Sequence, residues 1–304
     1  MTVTVQLRGG LGNQLFQYAA GFAASERLRT PLLLDRSLLP PATVSRNGIS
    51  RWPEQISSFA HAGEFTGEPG GVDVRSRAQR YRFQLERSVG DSRLSRTLGS
   101  RIYARETRES AARFSSLAGP HLRINAYCSA PAFFSDESAV VAGQVRSIRE
   151  PGDWYLAEAE RLAASGAVAL HVRWGDYLNL RHVYGEISAA YYRRALDLLE
   201  RQFGPRPVWL FSDDPDGAAE FLSSAIAIDH VAESPEQSTP LENLLLLSGA
   251  SALVGANSTF SWWAAFLGER AEGSVVFPRP LFGPAGPAEP RDWLLPGWVQ
   301  VGAA

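Results

Sequence analysis

The second half of the sequence alternates short apolar runs with segments of helical periodicity, and this alternation restricts the fold more than any other feature. The apolar runs are AVALHV, PVWLF, AIAIDHV, ALVGA and SVVFP. Between them lie SAAYYRRALDLLERQF, a segment after Pro215, TPLENLLLLSGA and TFSWWAAFLG. Strands that alternate with helices form parallel sheets, which are covered on both faces and are therefore apolar throughout. The pattern predicts a Rossmann-like α/β domain.

The N-terminal residues begin a second pattern of the same kind. Thr2 to Leu7 alternate and are rich in β-branched side chains, a glycine turn follows, LFQYAAGFAASERL has an apolar helical face, and PLLLD is the next apolar run. The chain has 304 residues, whereas a typical domain has about 150. Pro151-Gly152 precede the helical segment DWYLAEAERLAASG and mark a break. We expect a Rossmann-like N-terminal domain at 1–150 and a C-terminal one, with a tail, at 151–304.

The charged residues exclude several classes of function. The formal net charge is -2, so no overall basic field draws the chain to nucleic acid or to anionic lipid. All thirty basic residues are arginine, which excludes Schiff-base chemistry and the lysine-dependent P-loop. We therefore expect neither a nucleic-acid partner nor a lysine nucleophile.

Cysteine content and hydropathy indicate the compartment. Cys128 is the single cysteine, so neither an intramolecular disulfide framework nor a thiolate metal cluster is available, and a reducing compartment is expected. No apolar run approaches the ~18 residues that a membrane helix needs. The N-terminus, MTVTVQLRGG, lacks the basic and apolar regions of a signal peptide. These features predict a soluble cytoplasmic protein with no membrane-spanning segment.

Polar side chains follow the run AVALHV at the point where the predicted strand ends. His171, Arg173 and Asp176 stand at or just past this end, which is the edge where parallel α/β sheets bind ligands. The guanidinium of Arg173 offers a planar fork of donors that suits phosphate oxygens, and Asp176 can accept a hydrogen bond or a proton. Alternatively, Arg173 and Asp176 only pair with each other and cap a turn.

Two further strand ends carry polar groups. Ser212-Asp213-Asp214 follow PVWLF, Asn257-Ser258-Thr259 follow ALVGA and directly precede a helix, and Glu242 lies in the helix between these segments. A helix that opens through Asn-Ser-Thr presents N–H groups and hydroxyls to an anion. The alternative for this segment is plain N-capping.

The sequence gives no sign of a metal site. Asp214-Pro215-Asp216 has the spacing of a D-x-D motif, but Pro215 is better interpreted as the first residue of a helix that Asp213 or Asp214 caps. The five histidines, at positions 61, 121, 171, 182 and 230, show no metal-ligand spacing. We therefore expect no bound metal.

Two other segments allow a functional and a structural interpretation. GGLGNQ lacks the G-x-G-x-x-G spacing of a dinucleotide fingerprint, but Asn13 and Gln14 offer amide donors beside a closely approachable backbone; the alternative is a turn without a ligand. Arg75 to Arg113 hold eleven arginines against four acidic residues. Such a run is usually a solvated helix face, and otherwise it favours an acidic or phosphorylated acceptor.

Four segments together resemble one family. QLRGGLGNQLFQYAAG, HVRWGDY, FSDD and NSTFSWWAAFLG are similar to the motifs of the α-1,2-fucosyltransferases, inverting glycosyltransferases of family 11 that use GDP-fucose. The similar segments extend from Gln6 to Gly268. The resemblance implies a GT-B fold, in which two Rossmann-like domains with parallel sheets face each other across a cleft and the C-terminal one holds the nucleotide.

The resemblance also implies roles for individual residues. Arg173 would bind the donor diphosphate, and His171 with Asp213 or Asp214 would read the guanine. The remaining residues of the implied donor site are Ser258, Thr259 and Ser261, which would donate to the phosphates, Gly10, Gly12, Asn13 and Gln14, which would close over the donor, and Asn257 and Glu242. Asp176 is the candidate catalytic base, with Glu186 and Glu242 in reserve. No metal and no cofactor besides the GDP-sugar donor are expected.

The motif differs from the family in one residue, because Trp174 stands where a second arginine is usual. This change leaves L-fucose or a related hexose as the donor sugar, and a glycan or a small-molecule hydroxyl as the acceptor. A non-catalytic nucleotide-sugar or glycan-binding protein is the alternative function. A Rossmann enzyme that modifies sugar nucleotides is disfavoured, since the chain lacks a nicotinamide-type glycine fingerprint and, without lysine, a Tyr-x-x-x-Lys pair.

Overall fold

A computed structural model describes most of the chain. The described residues are 2–46, 49–59, 63–70, 100–103, 121–175, 181–284 and 293–304. They divide into two compact units, the first comprising Met1–Arg46 with Ser50–Arg149 and the second comprising Asn47–Ile49 with Glu150–Ala304. The candidate base Asp176 and nearly all of the arginine-rich run lie outside the described residues.

The first unit is built on a parallel sheet of five strands. In chain order these are β1 (Thr2–Gln6), β2 (Leu32–Asp35), β5 (Glu64–Thr66), β6 (Ser100–Tyr103) and β7 (His121–Ile124), and their spatial order is β5-β2-β1-β7-β6. Every pair is parallel. Helix α1 (Leu11–Leu28) packs closely on this sheet, since a Cβ at Gly21 would lie 2.3 Å from Cγ2 of Val5.

Short elements complete the first unit and its border. β3 (Val44–Arg46) and β4 (Ile49–Arg51) form a two-stranded sheet, a 3₁₀ turn spans Pro131–Phe133, and α2 spans Ser138–Arg146. The hydroxyl of Tyr18 in α1 donates a 2.9 Å hydrogen bond to Oε1 of Gln144 in α2. This bond satisfies a phenol that is otherwise buried among apolar side chains.

The second unit is built on a parallel sheet of six strands. Its strands are β8 (Val168–Val172), β9 (Val208–Ser212), β10 (His230–Val231), β11 (Ala252–Val254), β12 (Val275–Arg279) and β13 (Val299–Gly302), in the spatial order β10-β9-β8-β11-β12-β13. Its helices are α3 (Asp153–Ser165), α4 (Arg181–Tyr184), α5 (Ala189–Phe203), α6 (Pro215–Leu222), α7 (Pro240–Ser248) and α8 (Thr259–Leu267). All five residues of β8 are buried, as expected for a central strand with helices on both faces.

The prediction of an α/β fold with two parallel sheets is confirmed. Two details differ from the sequence pattern. AIAIDHV pairs with its neighbour only at His230 and Val231, and the C-terminal tail contributes β13 in addition to aromatic packing. Trp298 stacks on Phe277 with ring centroids 5.2 Å apart, so an aromatic residue of the tail packs against β12.

None of the helices within the described parts of the chain has both the length and the apolar character needed to cross a bilayer.

Arg270 closes the carboxyl ends of two helices. Nη2 donates 2.8 Å hydrogen bonds to the carbonyls of Leu247 and Ser248 at the end of α7, and Nη1 donates at 2.9 Å to the carbonyl of Ala264 in α8. Nε donates to the carbonyl of Ala250 at 2.8 Å. Burial lowers the pKa of this guanidinium to about 10. One planar cation thus binds carbonyls at the ends of both helices and in the turn that follows α7.

Replacing Arg270 with methionine should strongly destabilise the second unit. Methionine fills a similar volume but leaves several backbone acceptors without donors, and each costs about 1–3 kcal/mol when buried. We expect a loss of at least about 3 kcal/mol in the free energy of unfolding, measured by urea denaturation. Arg270→Lys is the matched control and should lose less, because an ammonium reaches only part of this set. Equal stability of Arg270→Met and the wild type would contradict this role.

Candidate functional site

The candidate site lies at the carboxyl end of β8, where the order of the strands reverses. β8 pairs with β9 on one side and with β11 on the other, whereas the chain continues from β9 to β10 before it returns to β11. Connections that leave neighbouring strands in opposite directions open a crevice, which is the usual ligand position in parallel α/β sheets. Polar residues that follow β8, β9 and β11 interact at this edge.

Arg173 and Asp213 join the ends of β8 and β9. Nη1 of Arg173 lies 3.3 Å from Oδ2 of Asp213, and the two side chains are only 17% and 20% exposed. Oδ1 of the same carboxylate accepts a 2.8 Å hydrogen bond from the backbone N–H of Trp174. The carboxylate therefore fixes both the guanidinium and the backbone that carries it. The described partner of Arg173 thus comes from the neighbouring strand end, whereas the alternative sequence interpretation pairs it with Asp176.

His171 connects the end of β8 to the first turn of α8. Its Nδ1 lies 2.6 Å from Oγ of Ser261, and this oxygen accepts a 3.0 Å hydrogen bond from the backbone N–H of Ala256. The hydroxyl of Ser261 thus links the imidazole to the backbone that follows β11. The ring of Phe260 stacks on the imidazole at a centroid distance of 5.3 Å.

Burial keeps this imidazole uncharged. Desolvation and, to a smaller extent, the charge of Arg173 lower the pKa of His171 from 6.5 to about 4, although the carboxylate of Asp213 opposes both effects. His171 is therefore neutral at physiological pH. A neutral imidazole has one donor and one acceptor nitrogen, and this one lies two residues before Arg173.

The start of α8 has the N-cap that the sequence allows. Oγ of Ser258 accepts a 3.2 Å hydrogen bond from the N–H of Phe260, and Thr259 is the first helical residue. Ser258 is buried and Thr259 is partly exposed. Helix N-termini concentrate N–H groups and carry the positive end of the helix dipole. Through the contact between Ser261 and His171, this positive helix end is fixed to the strand that carries Arg173.

Asn257 holds backbone segments together at the same edge. Its Nδ2 donates to the carbonyl of Leu281 at 2.9 Å and to the carbonyl of Tyr184. These bonds tie the segment after β12 and the end of α4 to the start of α8. The described contacts therefore give this predicted donor-binding residue a role in positioning the backbone.

Two tyrosines of α5, which sequence reasoning missed, form hydrogen bonds with the backbone of the sheet. The hydroxyl of Tyr191 donates to the carbonyls of Gly255 at 2.7 Å and Val276 at 3.2 Å, and the hydroxyl of Tyr192 donates to the carbonyl of His171 at 3.3 Å. Both side chains are fully buried in the first turn of α5. Their periodicity identifies them only as core residues. The signal in the sequence is the pair of adjacent tyrosines at the start of a helix, because a buried phenol needs a hydrogen-bond partner.

Two other predicted donor-binding residues cap helices. Oδ1 of Asp214 accepts a 3.1 Å hydrogen bond from the N–H of Gly217, and the prediction that Pro215 begins this helix is confirmed. Oε2 of Glu242 accepts from the N–H and the hydroxyl of Thr239, at 2.6 and 3.0 Å, and Oε1 accepts from the N–H of Gly152 at 2.6 Å.

The capping interactions explain the charge of Glu242. Burial raises its pKa, but the hydrogen bonds from the backbones of Thr239 and Gly152 outweigh burial, so the net pKa is lowered. The carboxylate is thus a buried anion held by N–H donors. Its partner was visible in the sequence, because Thr-Pro-Leu-Glu has the S/T-x-x-E spacing of a capping box.

The glycine turn of the first unit connects β1 to α1. Gly9 has a φ of 78°, and a Cβ there would lie 2.5 Å from Nδ2 of Asn13. The carbonyl of Gly10 accepts hydrogen bonds of 3.0 Å from the N–H groups of Asn13 and Gln14. Gly12 is buried within the first turn. Glycine is therefore required for a tight turn that brings the Asn13 amide close to the backbone.

The two amides of this turn are in different environments. Gln14 is fully buried, donates 2.8 Å hydrogen bonds to the carbonyls of Gly9 and Pro53, and accepts one of 2.9 Å from the N–H of Gln55. Asn13 is partly exposed. In this arrangement Asn13 is the amide that reaches solvent, whereas Gln14 holds the following loop.

Glu186, the reserve base, is exposed between α4 and α5. Within the described ranges, no three His, Cys, Asp or Glu side chains lie together in a way that could hold a metal ion. The expected absence of a metal remains a prediction from the sequence.

Comparison with known proteins gives a match to one family over much of the second unit. Residues 158–300 match the profile of Glycosyl transferase family 11. The chain is 25% identical over 292 residues to the O-antigen biosynthesis glycosyltransferase WbnK of Escherichia coli, with 91% of this chain and 93% of the relative covered. It is 24% identical over 296 residues to an alpha-1,2-colitosyltransferase of Escherichia coli, with 92% of each covered.

Solved structures show the same fold. A mutant of Arabidopsis thaliana FUT1 in complex with GDP is similar with a TM-score of 0.51 and 15% identity, covering 93% of this chain and 73% of that one. A glycosyl transferase of family 9 from Veillonella parvula also has a TM-score of 0.51, at 9% identity, covering 99% and 86%.

The buried neutral imidazole predicts how stability depends on pH. The pKa of His171 is near 6.5 in the unfolded chain and about 4 in the folded one. As the pH falls from 6.5 to about 4, the unfolded chain gains a proton that the folded chain refuses, so folding loses up to about 3 kcal/mol. In His171→Asn this component is absent. The wild type should therefore lose its advantage in unfolding free energy over the variant as the pH falls; a difference that stays constant with pH would contradict the assignment.

Proposed function

We propose that this chain is a glycosyltransferase of family 11, which transfers L-fucose or a related sugar from a GDP-sugar to a hydroxyl of a glycan or small-molecule acceptor, with inversion. The match of residues 158–300 to the family and the two E. coli relatives support the class. An α-1,2 linkage is proposed because one relative is an alpha-1,2-colitosyltransferase, and its name also makes colitose the related sugar to test first. The observation that carries the proposal is the guanidinium of Arg173, held by Asp213 at the strand-order reversal, two residues after the histidine that contacts the first turn of α8.

Arg173 and the start of α8 would stabilise the departing diphosphate. As the bond between the sugar and the phosphate breaks, negative charge accumulates on the GDP oxygens. A guanidinium already oriented by Asp213 at 3.3 Å needs little rearrangement to meet this charge, and the N–H groups and hydroxyls at Ser258, Thr259 and Ser261 add donors from the helix side. Such preorganised donors lower the barrier because their orientation is fixed before the reaction.

The guanine would be recognised next to the diphosphate. The neutral His171 has one donor and one acceptor nitrogen and would form a hydrogen bond with the guanine edge. Asp213 and Asp214 follow the neighbouring strand, and either carboxylate suits the N–H groups on the guanine edge. Glu242 contributes indirectly in our proposal, because its hydrogen bonds hold Thr239 and Gly152 in place.

The acceptor hydroxyl must approach the sugar from the face opposite to the departing GDP. Transfer then needs a base for the hydroxyl proton, and Asp176, three residues after Arg173, is our candidate. Glu186 remains the reserve. We propose the first unit as the acceptor side, with Gly10, Gly12 and Asn13 approaching the donor from its glycine turn. We also propose a cytoplasmic reaction that uses no metal or added cofactor; the single cysteine supports the reducing compartment.

Trp174 supports a second candidate function. Its indole replaces a cation of the family motif, which would weaken charge stabilisation during transfer while leaving nucleotide binding intact. The chain would then be a non-catalytic nucleotide-sugar or glycan-binding protein. Both functions require GDP binding, but only the enzyme releases GDP when a donor and an acceptor are mixed.

A thermal-shift series tests the nucleotide class. GDP and GDP-sugars should raise the melting temperature more than the UDP, CDP and dTDP counterparts do, because His171 and the aspartates after β9 would recognise the guanine edge. Stabilisation by a ligand follows its concentration relative to its dissociation constant. Equal shifts for all four nucleotides would contradict guanine recognition, and a ranking of GDP-fucose against GDP-colitose would define the donor sugar.

Arg173→Ala should abolish transfer in a protein that remains folded. Losing one preorganised donor to the transition state costs about 3 kcal/mol, which is at least about a hundredfold in turnover. GDP release from donor and acceptor measures the loss. Arg201→Ala, which removes an exposed arginine from the last turn of α5, is the matched control and should retain wild-type turnover. An Arg173→Ala variant with more than about a tenth of wild-type activity would contradict the assigned role.

A further inference from the structure

The indole of Trp174 has a structural role at the end of β8. The side chain is partly buried and packs against the hydrophobic core of the second unit. Its ring lies 4.3 Å from the ring of Phe221 in α6, with the two planes inclined at 32°. The indole therefore leans from the end of β8 onto the neighbouring helix, and an arginine could not make the same apolar contact.

Gly217 provides the space for this indole. It lies in the first turn of α6, and a Cβ at this position would be only 2.7 Å from Oδ2 of Asp214 and from both Cδ1 and Nε1 of Trp174. Such a separation is shorter than van der Waals contact, so either the indole or the helix would have to move. Contact with Trp174 thus requires a residue without a side chain at this position.

The backbone of Trp174 connects this packing to Arg173. Its N–H donates to Oδ1 of Asp213 at 2.8 Å, while Oδ2 of Asp213 holds Arg173 at 3.3 Å. The next residue, Gly175, also fits closely, since a Cβ there would lie 2.9 Å from Oδ2 of Asp213. A continuous set of contacts therefore runs from α6 through the indole to the carboxylate and the guanidinium.

We propose that Trp174 is a positioning residue for donor binding, which rests on Gly217 and Phe221 and thereby fixes the guanidinium of Arg173. The inference rests on the proposed function, in which Arg173 meets the donor diphosphate. A second cation in the motif would add charge of its own, whereas this chain uses an apolar anchor that improves the alignment of one cation. Trp174 does not touch the donor, and its effect passes through Asp213.

Four variants test this arrangement. Gly217→Ala displaces the indole, Trp174→Phe keeps an aromatic ring but removes the edge that contacts Gly217, and the double variant combines them. The double variant differs from Gly217→Ala only in the indole edge, and it therefore separates the effect of Trp174 from that of Asp214. Gly143→Ala is the control for the same change in a helix, because nothing lies within 4 Å of a Cβ at that position. For each variant we would measure kcat, the KM for the GDP-sugar, the KM for the acceptor and the melting temperature.

Gly217→Ala should raise the donor KM and lower kcat/KM for the donor by about tenfold or more, because a shift of about 1 Å in a catalytic group is costly. The acceptor KM and the activity of Gly143→Ala should stay at the wild-type level. A purely structural role would lower the melting temperature and leave the donor KM unchanged. The double variant should recover part of the loss of Gly217→Ala, since the phenyl ring leaves room for the new methyl group.

Two results would overturn the inference. One is a wild-type donor KM in Gly217→Ala, and the other is a double variant whose loss equals the product of the two single losses. If Gly217→Ala does not fold, Trp174→Ala gives the decision, because an unchanged donor KM in that variant also contradicts the role. A wild-type protein that releases no GDP from any GDP-sugar would contradict the proposed function itself, whereas active wild type with unaffected variants contradicts the positioning role alone.

Discussion

Parallel pairing of β8 with both β9 and β11 is the constraint on which the candidate site depends. In a parallel sheet the carboxyl ends of neighbouring strands lie at one edge, so residues far apart in sequence become neighbours. The contact between His171 and Ser261 spans 90 positions, and Trp174 and Asp213 are 39 apart. Neither pair can form locally. The site therefore exists only once the sheet has formed. Its side chains are positioned by strand pairing, which is more rigid than a loop.

Below this edge, buried groups hold the polar residues in fixed orientations. Tyr191 and Tyr192 donate to carbonyls in or next to three neighbouring strands, while the carboxylate of Glu242 accepts from the N–H of Gly152 at the start of α3. These groups are satisfied within the protein, so they have little freedom to reorient. A preorganised edge of this kind suits a reaction in which charge develops on a leaving group, because dipoles that are already aligned need not be rearranged.

Element order was predictable from the sequence, because alternation of apolar runs and amphipathic segments determines the α/β class. The location of polar residues that follow strands, such as Arg173 and Ser258, was also predictable, since they must lie at the carboxyl edge of a parallel sheet. Their partners were not. Pairing of Arg173 with Asp213 depends on which strands become neighbours, and the roles of Tyr192 and Gly217 depend on helix packing, which periodicity does not specify. The capping role of Glu242 could be found in the sequence, because a capping box is a local pattern. Its hydrogen bond with Gly152 could not, because that is a tertiary contact. β13 was missed since VQVG is too short to show alternation clearly.

The residues at and after the last strand, β13, hold α5 in place. The N–H and the hydroxyl of Ser188, which caps α5, bond the carbonyl of Ala303 at 2.9 and 3.1 Å. Arg194 of the same helix donates hydrogen bonds to the carbonyl of Gly302, at 2.7 Å, and to that of Ala304. This is the helix whose first turn carries Tyr191 and Tyr192. Removing the residues after 298 would therefore take away these contacts of α5 and disturb the backbone around His171, more than a hundred positions upstream. The C-terminal residues thus stabilise the proposed donor site from a distance.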